Sequence, residues 1–356
     1  MSSSEAERAR ELLLAYGWNA TAYQLLNPGM EHWFAAAGDA VVGFVRRHGV
    51  RVVAGAPVCA ESRLQAVSEE FASAAARAGS AVCYFCAESR LEAVCRGEGG
   101  HAFVLLGAQP MWHLRRWDEV TRTHASLRAQ INRARNKAVE VREWSASRAR
   151  GNPGLRRCLE EWLATRGLPA LHFLIEPVVL DRLNDRRLFV ATRGGETLGF
   201  LVASPVPARQ GWLIEQLVRG RAAPNGTSEL LVDTAMRALA GAGSRLATLG
   251  LAPLSRRAVA SGTGNPAWLE ACLRLARVHG RRFYNFGGLE AFKAKFHPAR
   301  WDPVFAIARA PSFSPRMLYA VAAAFTGGSP VRALASGVAR AGITELRWLA
   351  GAGQSR

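Results

Sequence analysis

The chain has 356 residues, 49% of them hydrophobic, which is enough to bury one large core or two of ordinary size and excludes a fibrous or disordered protein. Its 46 Lys and Arg against 28 Asp and Glu give a formal charge of +18, so the partner is anionic: nucleic acid, an acidic membrane surface or a phosphorylated substrate. Six cysteines without an export signal read as free thiols, and no apolar run approaches the roughly 20 residues of a spanning helix; the sequence therefore predicts a cytoplasmic protein, soluble or peripheral at the inner face of the membrane.

In chain order, residues 5–16 read as a short amphipathic helix, and Asp39 to Val58 alternates like two strands joined at Arg47-His48-Gly49. A helix over Glu61 to Ala78 and a strand over Ala81 to Phe85 follow, then a helix-like turn and the apolar run Ala102 to Leu106. Cys83 and Cys86 have redox or metal spacing, with Cys95 and His101 beyond, but on a strand positions three apart face opposite ways, so no metal site is expected. Residues 115–150 carry ten Lys or Arg against four Asp or Glu. Leu127, Ile131, Ala134 and Ala138 recur there at helical spacing, which predicts a basic amphipathic helix able to track an RNA backbone, lie on an anionic membrane or face solvent as a linker.

The second half starts near Pro153 with a helix from Gly154 to Arg166, a strand from Leu188 to Arg193, a Gly194-Gly195 hairpin and a strand from Thr197 to Val206. Gly55-Ala56-Pro57-Val58 and Ala203-Ser204-Pro205-Val206 each end a strand after a hairpin and suggest a duplicated unit. Trp212 to Val218 then forms a strand, a Gly/Pro/Asn turn leads into a helix, and Leu246 to Leu251 reads as the next strand. Asn225 or Thr227 is placed to cap that helix, with Glu229 in its first turn. Its free amides, with Arg219 and Arg221 just upstream, fit a phosphate or an oxyanion; an ordinary crossover fits equally well. Helices around 256–261 and 266–279 precede a strand over Phe283 to Phe286, a short helix bearing Lys293 and Lys295, and a strand from Trp301 to Ala308. The Ala/Gly-rich tail from Pro311 is either docked or a membrane-surface helix pair. Strands alternating with helices indicate an α/β layer architecture.

Several of these segments together carry a resemblance. Leu217-Val218-Arg219, Ala223-Pro224-Asn225-Gly226-Thr227, Gly250-Leu251-Ala252-Pro253-Leu254-Ser255, Phe283 to Leu289, Phe292-Lys293-Ala294-Lys295-Phe296 and Trp301-Asp302-Pro303 resemble the aminoacyl-phosphatidylglycerol synthase family, the catalytic part of multiple peptide resistance factor proteins, over about residues 15–308. The resemblance implies tandem acetyltransferase-like (GNAT-like) domains that move an aminoacyl group from charged tRNA to a hydroxyl of phosphatidylglycerol or another lipid, without a cofactor. The divisions expected are a first domain at 1–115, a basic connecting helix at 116–150, a second domain with the active site at 151–310 and a helical tail at 311–356. Family members usually carry a large transmembrane segment ahead of the catalytic part; this sequence shows none, and a stand-alone form is the expectation.

The resemblance also implies roles. Glu215, Arg219 and Lys293 are expected to serve the reaction, with Gln216, Arg221, Asn225, Gly226, Thr227 and Lys295 binding substrate and Arg128, Arg133, Arg135 and Lys137 binding tRNA. The family's acidic residue three before the arginine serves the aminoacyl group, and that position here is Gln216, with Glu215 beside it. Strand neighbours face opposite ways, so Glu215 replaces it only if the strand bulges. Alternatively Glu215 and Arg219, four apart, form a structural ion pair. The same donor with a diffusible acceptor, or a coenzyme A acetyltransferase, are the competing functions. The Arg219–Thr227 loop is longer than an Arg-x-x-Gly-x-Gly/Ala pyrophosphate loop, and no Gly-x-Ser-x-Gly or P-loop motif points to a hydrolase.

Overall fold

The computed structural model describes residues 3–165, 172–255, 257–258 and 286–332. After helix α1 (Ser3–Tyr16), the strands β1 (Glu31–Phe34), β2 (Val41–Arg47) and β3 (Val50–Ala54) form an antiparallel meander. Helix α2 (Leu64–Arg77) returns the chain to β4 (Ala81–Ala87), parallel to β3, and α3 (Ser89–Glu98) leads to the long strand β5 (Ala102–His113). The pattern then recurs. Strands β6 (Glu140–Trp144), β7 (Arg187–Arg193), β8 (Glu196–Val206) and β9 (Gly211–Arg219) meander, and helix α8 (Thr227–Gly241) crosses to β10 (Leu246–Thr248), parallel to β9.

The two repeats share one twelve-stranded sheet in the order β1-β2-β3-β4-β12-β5-β10-β9-β8-β7-β6, with the short β11 (Ala252–Pro253) beside β5. At its centre the repeats exchange their last strands: β5 pairs with β10 of the second repeat, and β12 (Arg300–Ala308) inserts between β4 and β5. Helices cover both faces. On β2, Val41 and Val45 point to a core shared with α1 and with α10 (Pro315–Thr326), whereas Val42 and Phe44 point to the core under α2 and α3, the period of two that a sheet buried on both sides requires. In the second repeat, α5 (Ala125–Arg135), α8 and α9 (Phe286–Ala294) cover one face and α7 (Pro153–Ala164) the other.

Several expectations change. The 116–150 segment is not one helix: α4 (Trp117–Thr123) and α5 are followed by β6 and the single turn α6 (Ala146–Ala149). Leu127, Ile131 and Ala134 are buried as their spacing predicts, but Ala138 lies past the helix end at φ 55° and is exposed. The proposed repeat of 55–58 with 203–206 pairs the wrong strands, because β3 precedes a crossover helix as β9 does, whereas β8 precedes a hairpin. Pairing of β10 stops at Thr248, not Leu251. Phe286 opens α9 instead of ending a strand, and the helices expected over 256–261 and 266–279, the rest of that strand and the tail beyond 332 lie outside the described residues. The described part of the tail is docked, with Met317, Ala320, Ala323 and Ala324 of α10 buried. Cys83, Cys86 and Cys95 are buried, and burial pushes the Cys83 thiol up to about 12. No helix among the described residues is long and apolar enough to cross a membrane.

Candidate active site

Strand β9 organises the site, and it is bulged. Gln216 pairs with Val202 but Ile214 pairs with Ala203, so Glu215 is an extra residue opposite its partner strand. The packing shows the change of phase: Trp212, Ile214 and Leu217 all meet the core under α8, and Val218 meets the core under α7. Glu215 and Gln216 therefore turn to the same face, the condition under which one can stand beside the other. Gln216 is 6% exposed; its Nε2 donates to the Pro177 carbonyl at 2.9 Å and its Oε1 is buried without a partner. Glu215 accepts from Gln24 Nε2 at 2.6 Å and is ion-paired with Arg186. The alternative Glu215–Arg219 pair is not formed, because the bulge sends the two side chains to opposite faces.

Around this pair lies a polar cluster that the sequence did not single out. Arg186 lies over the Tyr23 ring, 4.6 Å from its centroid, and the Tyr23 hydroxyl donates to Asp185 at 2.9 Å. Arg10 Nε donates to the same carboxylate at 2.7 Å, holding Asp185 below the usual carboxylate range. These groups come from α1, from the turn at 22–26 and from the segment ahead of β7, so the face carrying Glu215 is built from both repeats. A sequence signal existed only in hindsight: Asp185-Arg186-Arg187 is a charged triplet that leads into an otherwise apolar strand.

The far end of β9 faces α8. Arg219 is exposed and donates to the Ala223 carbonyl at 2.8 Å and to Asn225 Oδ1 at 3.1 Å, which closes the turn into the helix. Neither expected cap is made. Arg219 takes the Asn225 oxygen, Thr227 Oγ1 donates to the Pro224 carbonyl at 2.7 Å, and the N-cap position falls to Gly226 at φ 97° without a side-chain bond. A Cβ at Gly226 would collide with the Gln130 carbonyl of α5, so the connecting helix rests on the start of α8. Glu229, 7% exposed, pairs with Lys295, whose ammonium lies 4.1 Å from the Phe292 ring centroid. Arg221 is exposed, and its backbone amide donates to Glu161 at 2.8 Å.

Between the two ends, the parallel pairing of β9 with β10 stops at Leu213 and Thr248. The next three carbonyls, of Leu249, Gly250 and Leu251, accept from Lys293 Nζ at 2.7, 2.8 and 2.8 Å. Lys293 is 5% exposed, and burial pushes its pKa down to about 7. The three carbonyls act in the opposite sense, because only the ammonium has a hydrogen for each. The structure thus places Lys293 as the clasp of the 249–251 segment, with no hydrogen left for an anion.

Of the four basic residues expected on the connecting helix, two are committed elsewhere. Arg135 donates at 3.0 Å to Asp233, a carboxylate 1% exposed that also accepts from Trp117 Nε1 and Arg237 Nε, both at 2.9 Å. Arg128 turns back onto the Arg122 carbonyl at the end of α4. Arg133 and Lys137 are exposed. Asp233 was legible as a lone carboxylate in the apolar run Leu230 to Met236.

Tandem meander-helix-strand repeats around a central sheet, with a bulged strand before the crossover helix, define an acetyltransferase-like α/β protein. Within that class, residues 10–308 match the family described as phosphatidylglycerol lysyltransferase, C-terminal, and the chain belongs to that family. Among solved structures, it is similar to the C-terminal DUF2156 domain assigned to a lysylphosphatidylglycerol synthetase from Agrobacterium fabrum, at 23% identity and a TM-score of 0.77, covering 92% of this chain and 98% of that one. L-PGS from Bacillus licheniformis is also 23% identical, with a TM-score of 0.72 over 88% of this chain and 92% of that one. FemX shares the fold at 8% identity and a TM-score of 0.54, over 89% of this chain and 98% of that one. No curated protein matches.

Proposed function

We propose that the chain is an aminoacyltransferase that moves an aminoacyl group from aminoacyl-tRNA to a hydroxyl of phosphatidylglycerol. The observation that carries this reading is the β9 bulge, which sets the Glu215 carboxylate beside Gln216 in a chain of the phosphatidylglycerol lysyltransferase family. In the reaction the lipid hydroxyl oxygen bonds to the ester carbonyl carbon, the bond from that carbon to the tRNA ribose oxygen breaks, and the hydroxyl proton ends on the departing ribose. The ester is already activated, so orientation and stabilisation of the oxyanion suffice and no cofactor enters.

In this reading Glu215 receives the aminoacyl α-ammonium on the lone pairs that Arg186 and Gln24 leave, with Gln216 Oε1 as a second acceptor. Arg219 and Arg221 meet phosphates of the donor's end, and Arg133 and Lys137 meet phosphates further along the tRNA. Lys293 acts as a positioning residue, and Gly226, Thr227 and Asn225 shape the turn that presents Arg219. The test is to incubate the protein with tRNA charged with labelled amino acids and phosphatidylglycerol vesicles, then chromatograph the lipids. Labelled aminoacyl-lipid is expected; label moving only to water-soluble hydroxyls, or none moving while acetyl-coenzyme A is consumed, would sink the proposal.

A further inference from the structure

The segment that touches the bulge from outside has a second side. Residues 172–178 hydrogen-bond to Gln216 through the Pro177 carbonyl at 2.9 Å, and Asn27 Nδ2 holds the Phe173 carbonyl at 2.7 Å, so the inner side of the segment is fixed to the site strand and to the first repeat. Its outer side shows Ile175 at 52% exposure and Val178 at 43%. The segment abuts the C-terminal end of α10, where the His172 amide donates to the Phe325 carbonyl at 2.9 Å, and four residues beyond Gly327 stands Val331 at 64% exposure. Three of the five exposed large hydrophobic residues among those described thus stand on this segment or a few residues beyond the helix end it touches. The acid of the segment faces inward, since Glu176 Oε2 lies 3.3 Å from His172 and its side chain is 9% exposed. Outside stand the exposed Arg182 and Arg332, with Asp181 the one exposed carboxylate between Ile175 and Arg182.

We propose that this surface, Ile175 and Val178 with Val331 beyond the end of α10, rests on an anionic phospholipid bilayer. The inference rests on the reading of a lipid acceptor and adds where the lipid arrives. Scattered exposed aliphatics are ordinary, but two on one short segment with a third just past the helix end it touches, beside exposed arginines on a chain of formal charge +18, fit a bilayer with acidic headgroups. The same segment that meets the headgroups holds Gln216, so a hydroxyl at the bilayer surface enters beside the bulge and not from the α8 side, where α5 lies.

The experiment measures binding to vesicles without any tRNA, so its outcome is independent of the transfer reaction. Vesicles of phosphatidylcholine with phosphatidylglycerol, and of phosphatidylcholine alone, are floated with the wild type, with Ile175→Asp/Val178→Asp and with Ile175→Ser/Val178→Ser. The wild type is expected to float with the anionic vesicles and far less with the neutral ones. The aspartate variant is expected to lose about tenfold or more in binding, and the serine variant a smaller part, at unchanged Tm. Equal flotation of wild type and aspartate variant overturns the proposal. It is also overturned if the aspartate variant instead splits an oligomer while vesicle binding persists, since the surface would then join copies of this chain.

Discussion

Lys293 is one of three lysines in a chain whose other basic residues are arginine, and the geometry gives the reason for an ammonium. Three successive carbonyls converge on one nitrogen, which a tetrahedral –NH₃⁺ matches and a planar guanidinium does not. Lys293→Arg is therefore expected to restore little, and Lys293→Met to lower turnover by about 10²-fold through misplacement of 249–251, as a positioning role requires. The pH dependence separates this from a surface charge. Burial draws the folded-state pKa from the unfolded chain's 10.5 down toward about 7 while the three carbonyls oppose it, so within that interval the unfolded state holds more protons. This group's contribution to stability accordingly rises with pH from about 7 to 10.5 and is lost as pH falls through 7. Urea titrations across that range should show the slope in the wild type and its loss in Lys293→Met; a slope that survives the substitution assigns the titration elsewhere.

Among the elements, α5 is where the proposed tRNA contact can be tested. Asp233 joins α8 to α4 and α5 by accepting from Trp117, Arg135 and Arg237, and Asp233→Ala would leave the Trp117 donor buried without a partner. The arginines are 51% and 44% exposed and can turn to solvent, so the cost is about 2 kcal/mol, below that of a fully buried pair, and appears as a lowered Tm. Reversing Arg133 and Lys137 to Glu, by contrast, should leave Tm unchanged and reduce the salt slope of tRNA binding by about two phosphate contacts, measured by filter binding over a salt series. If the slope does not move, α5 is a structural tie and nothing more. The legibility of these elements follows the same division. Apolar period revealed β2, β3, β4, β7, β8 and most of β9, and helical spacing revealed the buried face of α5. The bulge at Glu215 left no mark, because one extra residue in a strand changes the phase and not the composition. Strand β6 was missed because Glu140-Val141-Arg142-Glu143-Trp144 is a charged edge strand inside a basic stretch. The clasp at Lys293 and the pairing of Arg186 with Glu215 join residues far apart in the chain, which no local pattern encodes.

At the level of the whole molecule, the strand exchange couples the repeats. We propose the divisions 1–115, 116–150, 151–310 and 311–356 as units of sequence, not of independent folding, since β12 is the neighbour of both β4 and β5. Denaturation followed by fluorescence and by circular dichroism is expected to give one coincident transition, and a chain lacking 300–308 should lose the first repeat as well as the second. Two separated transitions would show that each repeat stands alone.

The inserted position of β12 also sets an order of events during synthesis. The first repeat is complete in sequence at β5, yet the strand that fills the gap between β4 and β5 begins at Arg300. At about 5–20 residues per second a ribosome needs roughly 10 to 40 s to reach it. For that interval the nascent chain holds two unpaired strand edges flanked by Val104, Cys83 and Tyr84, the kind of surface that chaperones bind and that pairs with a neighbouring chain when they do not. Translation rate and chaperone supply should therefore govern the yield of folded protein more than the stability of the finished sheet does.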